Sequence, residues 1–468
     1  MKVSTGIKNL DSIMGGGFLE RSFNLVYGGG GTGKTLFTLN FLLKGAEEGK
    51  HVIYVTLEES WDDITRKLPQ GMKDRLEKVK DRFHYLDFGS MRPVLGREVL
   101  KSDVLLEAIT SSIVVHNISL AGLDGIAPIS LYYENEKKIR SVIFDISQSL
   151  KSYGVTTIFT SEEINGVSRY GVEEYVSDSV IRLIYTGRFR RLQILKTRGS
   201  DFVGGLHGFE ISTDGLRVYP RVLFSEGKHE IKEESLGIPK LDNMLGVIYS
   251  GDVTLLSGPP GTGKYLFGVQ FIKSSCAHGK KGVYISFEEN SAKIKKRLQD
   301  MGENLKNCRV IYIDALEMDM YRLLWVIRDR LKDADRVVFH GINVLSKRDE
   351  YPDFVHSLLN YTRRNGIGSM VIYTIPGIIG TNTIGDENVV YMSDNIIRVL
   401  FAEINGELKK VLVIIKTHSP THERGLVEYR LGKRGVIIVG KIEELEGIMS
   451  GTPSKQMEIR KRVEKFFK

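Results

Sequence analysis

Gly28-Gly-Gly-Gly-Thr-Gly-Lys34-Thr35 is the stretch that decides the fold. It stands between an apolar run, Phe23–Tyr27, and a run of helical character, Leu36–Leu43. Strand, glycine-rich turn and helix in this order are the setting in which G-x-x-x-x-G-K-[ST] indicates a phosphate-binding loop. Glycines let successive backbone N–H groups face a phosphate, and the helix N-terminus adds further donors. A glycine-rich hairpin, the alternative, requires neither the Lys-Thr pair nor a helix after it.

The loop predicts a nucleotide site with a bound magnesium ion. The Lys34 ammonium is expected to reach the β- and γ-phosphates, and the Thr35 hydroxyl to take one position on Mg²⁺. The residues expected to bind nucleotide here are Gly28, Gly29, Gly30, Gly31, Thr32, Gly33, Lys34 and Thr35.

Hydrolysis needs carboxylates near the phosphates, and two candidates follow apolar runs. Asp124 ends the run 120–123 and is expected to hold Mg²⁺ with Thr35, although an Asp-Gly turn after a strand is the simpler alternative. Glu58 and Glu59 end another strand, where a carboxylate can act as general base. One of the two could instead open the helix that follows, so we expect one catalytic and one structural glutamate.

The chain contains the same unit twice. Thr5–Asp11 returns as Ser235–Asp242, and the phosphate loop returns with Lys264 placed 230 positions after Lys34. Glu58-Glu59 returns as Glu288-Glu289 at the same spacing. Late in each unit, Lys196-Thr-Arg198 matches Lys416-Thr-His418. Four matches in the same order predict duplicated domains, joined near residues 224–234.

The second unit departs from the first where the metal is expected. Thr35 is replaced by Tyr265, Asp124 by His340 and Arg198 by His418. A neutral imidazole is a poor Mg²⁺ ligand compared with a carboxylate. The second site is therefore expected to have lost hydrolysis and to bind nucleotide with weak dependence on Mg²⁺, or to be structural. Its candidate nucleotide-binding residues are Gly258, Gly261, Thr262, Gly263, Lys264, Tyr265 and Lys416.

Length and periodicity predict the architecture. The 468 residues exceed one ordinary core, and strand-length apolar runs alternate with amphipathic segments, as in a parallel sheet covered by helices on both faces. Helices are predicted at 99–116, 134–153, 320–332 and 353–364, and strands at 118–123, 156–160, 336–339 and 370–374. Segments 180–196 and 396–416 are expected to be antiparallel strands at the sheet edge. The predicted domains are 1–224, 225–452 and a basic tail, 453–468.

Composition limits the class of protein. Apolar residues make up 41% of the chain and charged residues 26%, as in globular proteins. Cys276 and Cys308 fit no C-x-x-C pattern, which argues against a disulfide framework and a cysteine zinc site. No signal-peptide core or membrane-length apolar run is seen, so a cytoplasmic location is expected. Six bases against two acids in 453–468 account for part of the net charge of +8.

The motifs resemble the RecA superfamily, and within it the KaiC-like ATPases with tandem domains. The phosphate loop, the Glu58-Glu59 pair, Arg169–Asp178 and Lys196–Ser200 carry the resemblance, which covers roughly residues 3–452. It implies two RecA-like P-loop domains, ATP as ligand, and a hexameric ring with ATP between subunits. It also implies that Lys196 and Arg198 act on the neighbouring subunit's γ-phosphate. From the residues alone, Lys-x-Arg on an edge strand indicates a solvated face.

One family feature does not carry over. Clock-type members have adjacent Ser-Thr phosphorylation sites in the second domain, where our alignment finds Val390-Tyr391. Ser393 and Thr383 are nearby hydroxyls. A circadian function is therefore not predicted, and the basic tail is interpreted as a solvated helix or, alternatively, a docking tail.

Two functions compete at this point. One is a slow regulatory ATPase that acts through unknown protein partners; the other is a DNA recombination or helicase-like motor. A ring that threads DNA needs bases on its central loops. Residues 125–133 contain no Lys or Arg, and 161–169 contain two acids and one base. Lys347 and Arg348 are the exceptions. Because the loops otherwise contain so few bases, the regulatory ATPase is favoured and nucleic-acid binding is not.

Overall fold

The computed structural model describes residues 1–133, 135–221, 229–277, 279–300, 308–377, 383–404, 406–432, 435–442, 445–446 and 454–455. The chain divides into two compact units, Met1–Arg221 and Val222–Lys468. The predicted domain boundary after residue 224 and nearly all of the tail 453–468 lie outside the described residues.

The first unit alternates strands and helices. Its strands are β1 (Lys2–Val3), β2 (Phe18–Leu19), β3 (Phe23–Gly28), β4 (His51–Thr56), β5 (Phe83–Asp87), β6 (Ile118–Asp124), β7 (Thr156–Ile164), β8 (Val167–Ser168), β9 (Ser179–Tyr185), β10 (Arg190–Thr197), β11 (Leu206–Ser212) and β12 (Gly215–Tyr219). Its helices are α1 (Leu10–Ile13), α2 (Lys34–Glu47), α3 (Trp61–Lys67), α4 (Gln70–Lys78), α5 (Phe88–Leu95), α6 (Ser102–His116), α7 (Ile129–Tyr132), α8 (Glu136–Ser152) and α9 (Glu173–Val176), with a 3₁₀ turn at Gly96–Leu100.

The main sheet of the first unit has the strand order β12-β11-β10-β9-β3-β7-β6-β4-β5. The six strands from β9 to β5 are mutually parallel, and β10, β11 and β12 continue antiparallel. The carboxyl ends of β3, β4, β6 and β7 therefore meet at one edge, where ligands bind in such sheets.

The central strands are buried on both faces, because alternate side chains enter two different cores. Val26 packs with α2 residues such as Phe41, whereas its neighbour Leu25 packs with α6 and α8 residues such as Ile109. This period of two makes the strand apolar throughout and fixes helices on each side of the sheet.

The second unit repeats this order of elements. Its strands are β13 (Glu233–Glu234), β14 (Ile248–Tyr249), β15 (Val253–Gly258), β16 (Gly282–Ser286), β17 (Cys308–Tyr312), β18 (Arg336–His340), β19 (Gly368–Thr374), β20 (Asn395–Ile404), β21 (Glu407–Lys416), β22 (Val427–Gly432), β23 (Gly435–Lys441), β24 (Leu445–Glu446) and β25 (Ser454–Lys455). Its helices are α10 (Pro239–Leu245), α11 (Lys264–Ala277), α12 (Ser291–Asp300), α13 (Met320–Leu331), α14 (Tyr351–Arg364) and α15 (Glu387–Met392), with a 3₁₀ turn at Ile342–Leu345.

Its main sheet, β17-β16-β18-β19-β15-β20-β21-β22-β23, again has six parallel strands followed by three antiparallel ones. The predicted fold class, two α/β units with mainly parallel sheets flanked by helices, is confirmed. The predicted helices and strands are present with ends shifted by a few residues; residue 134, where one predicted helix began, lies outside the described residues.

Two expectations need correction. The segments 180–196 and 396–416 are antiparallel strand pairs, but they are not at the edge, because β11–β12 and β22–β23 continue each sheet beyond them. The two cysteines are paired: Cys276 at the end of α11 and Cys308 at the start of β17 form a disulfide with Cα atoms 6.2 Å apart. Their spacing in the sequence gave no indication of this, since only the fold brings these element ends together.

Across the described residues, the structure has no helix that is both long and apolar enough to cross a membrane.

Candidate functional site

The phosphate loop of the first unit joins the end of β3 to the start of α2, as predicted. The Lys34 ammonium donates to the carbonyl oxygens of Gly28 (2.8 Å) and Gly29 (3.0 Å). Burial lowers the pKa of Lys34. Chain neighbours aside, no heavy atom of the described residues lies within 4 Å of where a Cβ would stand on Gly29, Gly30 or Gly31, so the loop has open space for an anion.

Asp124, at the end of β6, is held by three hydroxyl groups. Thr35 Oγ1 donates to one carboxylate oxygen (2.7 Å), Tyr54 Oη donates to the same oxygen (2.5 Å), and Thr160 Oγ1 donates to the other (2.7 Å). Burial, followed by the charge of Asp124, raises the pKa of Tyr54 well above its usual value. The two predicted metal ligands, Thr35 and Asp124, are therefore brought together as oxygen donors that suit Mg²⁺.

The two glutamates after β4 have different surroundings. Burial, together with the charges of Asp124 and Glu162, raises the pKa of Glu58. Gly125 has a positive φ of 78°, and a Cβ there would lie 2.6 Å from the Glu58 carboxyl carbon, so Glu58 packs against the turn after Asp124. Glu59 instead pairs with Lys67 at 2.7 Å, with its side chain 53% exposed.

One cavity of about 390 Å³, at the carboxyl ends of the strands, is lined by Lys34, Thr35, Glu58, Glu59 and Asp124. Sequence reasoning missed four residues here: Tyr54 and Thr160, which hold Asp124; Glu162, which lines the cavity; and Arg190, whose guanidinium donates to the Gly31 carbonyl oxygen at 2.7 Å. Thr160 and Glu162 lie in the carboxyl-terminal half of a parallel strand, and that position was the signal available in the sequence.

Lys196 and Arg198 do not line this cavity. The Lys196 ammonium donates to the Glu174 carbonyl oxygen (2.9 Å), and burial lowers its pKa. The Arg198 guanidinium pairs with Asp178 at 3.3 Å and is 54% exposed. Both residues are thus away from the phosphate loop of their own unit.

The second unit keeps the phosphate cradle. The Lys264 ammonium donates to the carbonyl oxygens of Gly258 and Pro259, both at 2.8 Å, as Lys34 does in the first unit. Burial lowers the pKa of Lys264 to about 8. A cavity of about 350 Å³ remains, and Tyr265 lines it together with Glu288, Glu289 and His340.

The hydroxyl set around the metal position is largely lost in the second unit. His340 takes the place of Asp124, and its Nδ1 lies 3.0 Å from the oxygen of Tyr284, the counterpart of Tyr54. Across the sheet, His340 is paired with Ile372 of β19. The first unit has Thr160, with its hydroxyl group, at the position of Ile372. Of the three hydroxyl-bearing residues around Asp124, the second unit keeps the tyrosine as Tyr284 and replaces the two threonines with Tyr265 and Ile372.

Lys416 and His418 also lie away from the second cavity. The Lys416 ammonium donates to the Ser393 carbonyl oxygen (2.6 Å), and His418 Nε2 lies 3.3 Å from Asp252. Asp252, Asp394 and His418 each offer an atom within 4.8 Å of the others, a spacing that could hold a metal. Arg363 already donates to Asp394 at 2.8 Å, so a cation is in place beside this group.

Comparison with known proteins agrees with this architecture. The family model described as "ATPase: KaiC" matches residues 3–222 and again 235–443. Proteins named "Circadian clock oscillator protein KaiC" are similar over 97% of the chain. That of Acaryochloris marina is 27% identical with 91% of its length covered, that of Thermostichus vulcanus 28% with 92%, and that of Synechococcus elongatus 27% with 92%.

Proposed function

The chain belongs to the KaiC family of ATPases, and we propose that its first unit hydrolyses ATP with Mg²⁺ while its second unit holds nucleotide without appreciable turnover. The observation that carries this proposal is the three-hydroxyl set around Asp124, of which the second unit keeps one member. The proposed domains are 1–224 and 225–452, followed by the basic tail 453–468.

In the first cavity, each group has a distinct task. Lys34 would exchange its two carbonyl partners for β- and γ-phosphate oxygens. Thr35 and Asp124 would hold Mg²⁺, which supplies positive charge against the phosphates when bound. Glu58 would orient the attacking water and accept its proton, and burial raises its pKa, which makes the carboxylate a stronger base. Glu59, paired with Lys67, is assigned the structural task.

The proposed assembly is a homo-oligomer, a hexameric ring with ATP at the subunit interfaces. This follows the family resemblance, and the positions of Lys196 and Arg198 support it because both lie away from the cavity of their own unit. In a ring, their cations would stabilise charge on the neighbour's γ-phosphate, as an arginine finger does. A cytoplasmic location and regulatory protein partners complete the proposal.

The DNA motor is the weaker alternative. Arg169, the one base in the loop after β7, pairs with Glu162, and Arg348 donates to the carbonyl oxygens of Leu316 and Met318. These cations are already engaged within the protein, which leaves few bases for a phosphate backbone.

The test is steady-state ATPase activity of the full-length protein and of Asp124→Asn. Asn keeps the size of the side chain but removes the charge on the metal, so turnover is expected to fall by about 10²-fold or more. Asp103→Asn, at an exposed position of α6, is the matched control and should leave turnover unchanged. Full turnover in Asp124→Asn, or strong stimulation of the parent by single-stranded DNA, would contradict the proposal.

A further inference from the structure

The second cavity keeps the lysine and the glycine loop of the first, but has His340 where the first unit has Asp124. Its volume, about 350 Å³, is close to the 390 Å³ of the first cavity. Lys264 is buried and contacts two carbonyl oxygens, and burial lowers its pKa, so an incoming phosphate would stabilise its ammonium form. The site therefore favours phosphate binding even though Tyr265 and His340 replace the predicted metal ligands of the first unit.

His340 is oriented so that one ring nitrogen faces the cavity. Its Nδ1 lies 3.0 Å from Tyr284 Oη, and its Nε2 lies 3.8 Å from a carboxylate oxygen of Glu288, a cavity-lining residue. In the first unit the equivalent phenol, Tyr54, donates its proton to Asp124. When Tyr284 donates to Nδ1 in the same way, the neutral His340 ring carries its proton on Nε2. His340 Nε2 is then a hydrogen-bond donor.

Two elements bring charged side chains to the cavity that His340 lines. Glu288 and Glu289 follow β16, and a carboxylate oxygen of Glu288 lies 3.8 Å from His340 Nε2. Lys264, at the start of α11, lines the same cavity. From β19 the neighbour is the apolar Ile372, which neither charges nor solvates the ring. A bound polyphosphate would offset Lys264 and add negative charge beside Nε2, which shifts the balance towards the protonated ring.

We infer that the second cavity binds nucleoside di- or triphosphate free of metal, with His340 Nε2 as a phosphate ligand, and that binding draws a proton onto this ring. The inference rests on the proposed retention of nucleotide in the second unit and names the form of the ligand. Lys264 and an imidazolium together supply two positive charges where the first unit would use a lysine and Mg²⁺. No bond is made or broken; the only chemical change is the proton taken up from solvent.

The predicted signature is proton-linked affinity. An ordinary histidine titrates near pH ~6.5, and a neighbouring anion raises that value. Affinity for nucleotide in the presence of a chelator should therefore decrease with rising pH, by up to about tenfold per unit for one linked proton. Lys264, whose pKa is about 8, titrates mainly above this range, and it is present in both of the proteins that the experiment compares.

The experiment uses full-length protein carrying Lys34→Ala, so that the first site does not dominate. Binding of ADP is measured by calorimetry with EDTA at pH 6.0 and 7.5, in buffers of different ionisation enthalpy. The terminal phosphate itself titrates near pH ~6. The deciding quantity is thus the difference in proton uptake between this protein and the same protein with His340→Gln, which can donate a hydrogen bond but not charge. A larger uptake with His340, and tighter binding at pH 6.0, are expected.

A second variant restores the metal set of the first unit: Tyr265→Thr, His340→Asp and Ile372→Thr together. It should bind nucleotide at least about tenfold more tightly with Mg²⁺ than with EDTA, and lose the extra proton uptake. If this triple variant does not fold, judged by circular dichroism, His340→Gln decides alone. Equal proton uptake in the parent and in His340→Gln, or loss of binding on chelation in the parent, would overturn the inference and leave second-site binding intact. Absence of any second-site nucleotide at both pH values, with Mg²⁺ as well as with EDTA, would overturn the proposed retention itself.

Discussion

The phosphate-loop cavities of the two units are formed by equivalent elements but differ in the side chains at the proposed metal position. Both lie at the carboxyl ends of four neighbouring parallel strands, and in both a lysine, half-buried in the first unit and buried in the second, donates to two backbone carbonyl oxygens. In the first unit three hydroxyl groups donate to Asp124, whereas in the second unit the hydroxyl of Tyr284 and the apolar Ile372 lie beside His340. The phosphate loop depends on backbone geometry that the repeat preserves, while the proposed metal position depends on a few side chains that differ between the units.

The sharpest test of this difference removes the lysine of each cavity in turn. Lys34→Ala should reduce ATP turnover by about 10³-fold or more, because the charge on the β- and γ-phosphates is lost. Lys264→Ala should leave most of the turnover. Steady-state ATPase assays on intact protein measure both, and greater damage from Lys264→Ala would reverse the assignment of the two units.

Substitutions at Glu58 and Glu59, the neighbouring glutamates of the first cavity, should also differ in their effect on turnover. Glu58→Gln is expected to lower turnover by about 10²-fold or more, because it removes the proposed base but keeps the shape of the side chain. Glu59→Gln, with its exposed pair to Lys67, is the matched control and should change turnover by less than about threefold. The kcat of both variants is measured. Equal losses of kcat would show that the different surroundings of Glu58 and Glu59 in the single chain do not give them different roles.

Action across a subunit interface predicts complementation. Lys34→Ala and Arg198→Ala subunits should each be nearly inactive, but in a random mixture about a quarter of the interfaces combine an intact loop with an intact arginine. Activity should return to roughly that fraction of the parent. Absence of recovery in assemblies verified to contain both variants would argue against action in trans.

The smallest effect concerns the pH dependence of the second cavity above neutrality. The pKa of Lys264 is lowered to about 8 by burial, so its charge is lost as the pH rises through that value. Nucleotide affinity measured in Lys34→Ala protein should fall by up to about tenfold between pH 8 and 9. Lys264→Arg stays protonated and should flatten this slope. If the pH dependence of affinity persists in Lys264→Arg, it must come from a group other than Lys264.

The sequence determined the architecture because the deciding signals are local. A glycine-rich loop between a strand and a helix has few backbone solutions, and its recurrence 230 residues later fixed two similar units. The same comparison located Tyr265 and His340 as departures without any structure. The alternation of strand-length apolar runs with amphipathic segments then predicted sheets covered on both faces, and the separate cores around Leu25 and Val26 agree with it.

Only the tertiary structure decided which side chains share a cavity, because these contacts join residues far apart in the chain. Asp124 meets Tyr54 and Thr160 across three neighbouring strands, and Ile372 faces His340 through strand register. The tertiary structure also distinguished Glu58 from Glu59. The two glutamates are neighbours in the sequence, but their burial and their partners differ. The tertiary structure also paired Cys276 with Cys308, since the proximity of a helix end and a strand start is a property of packing, which residue spacing does not encode.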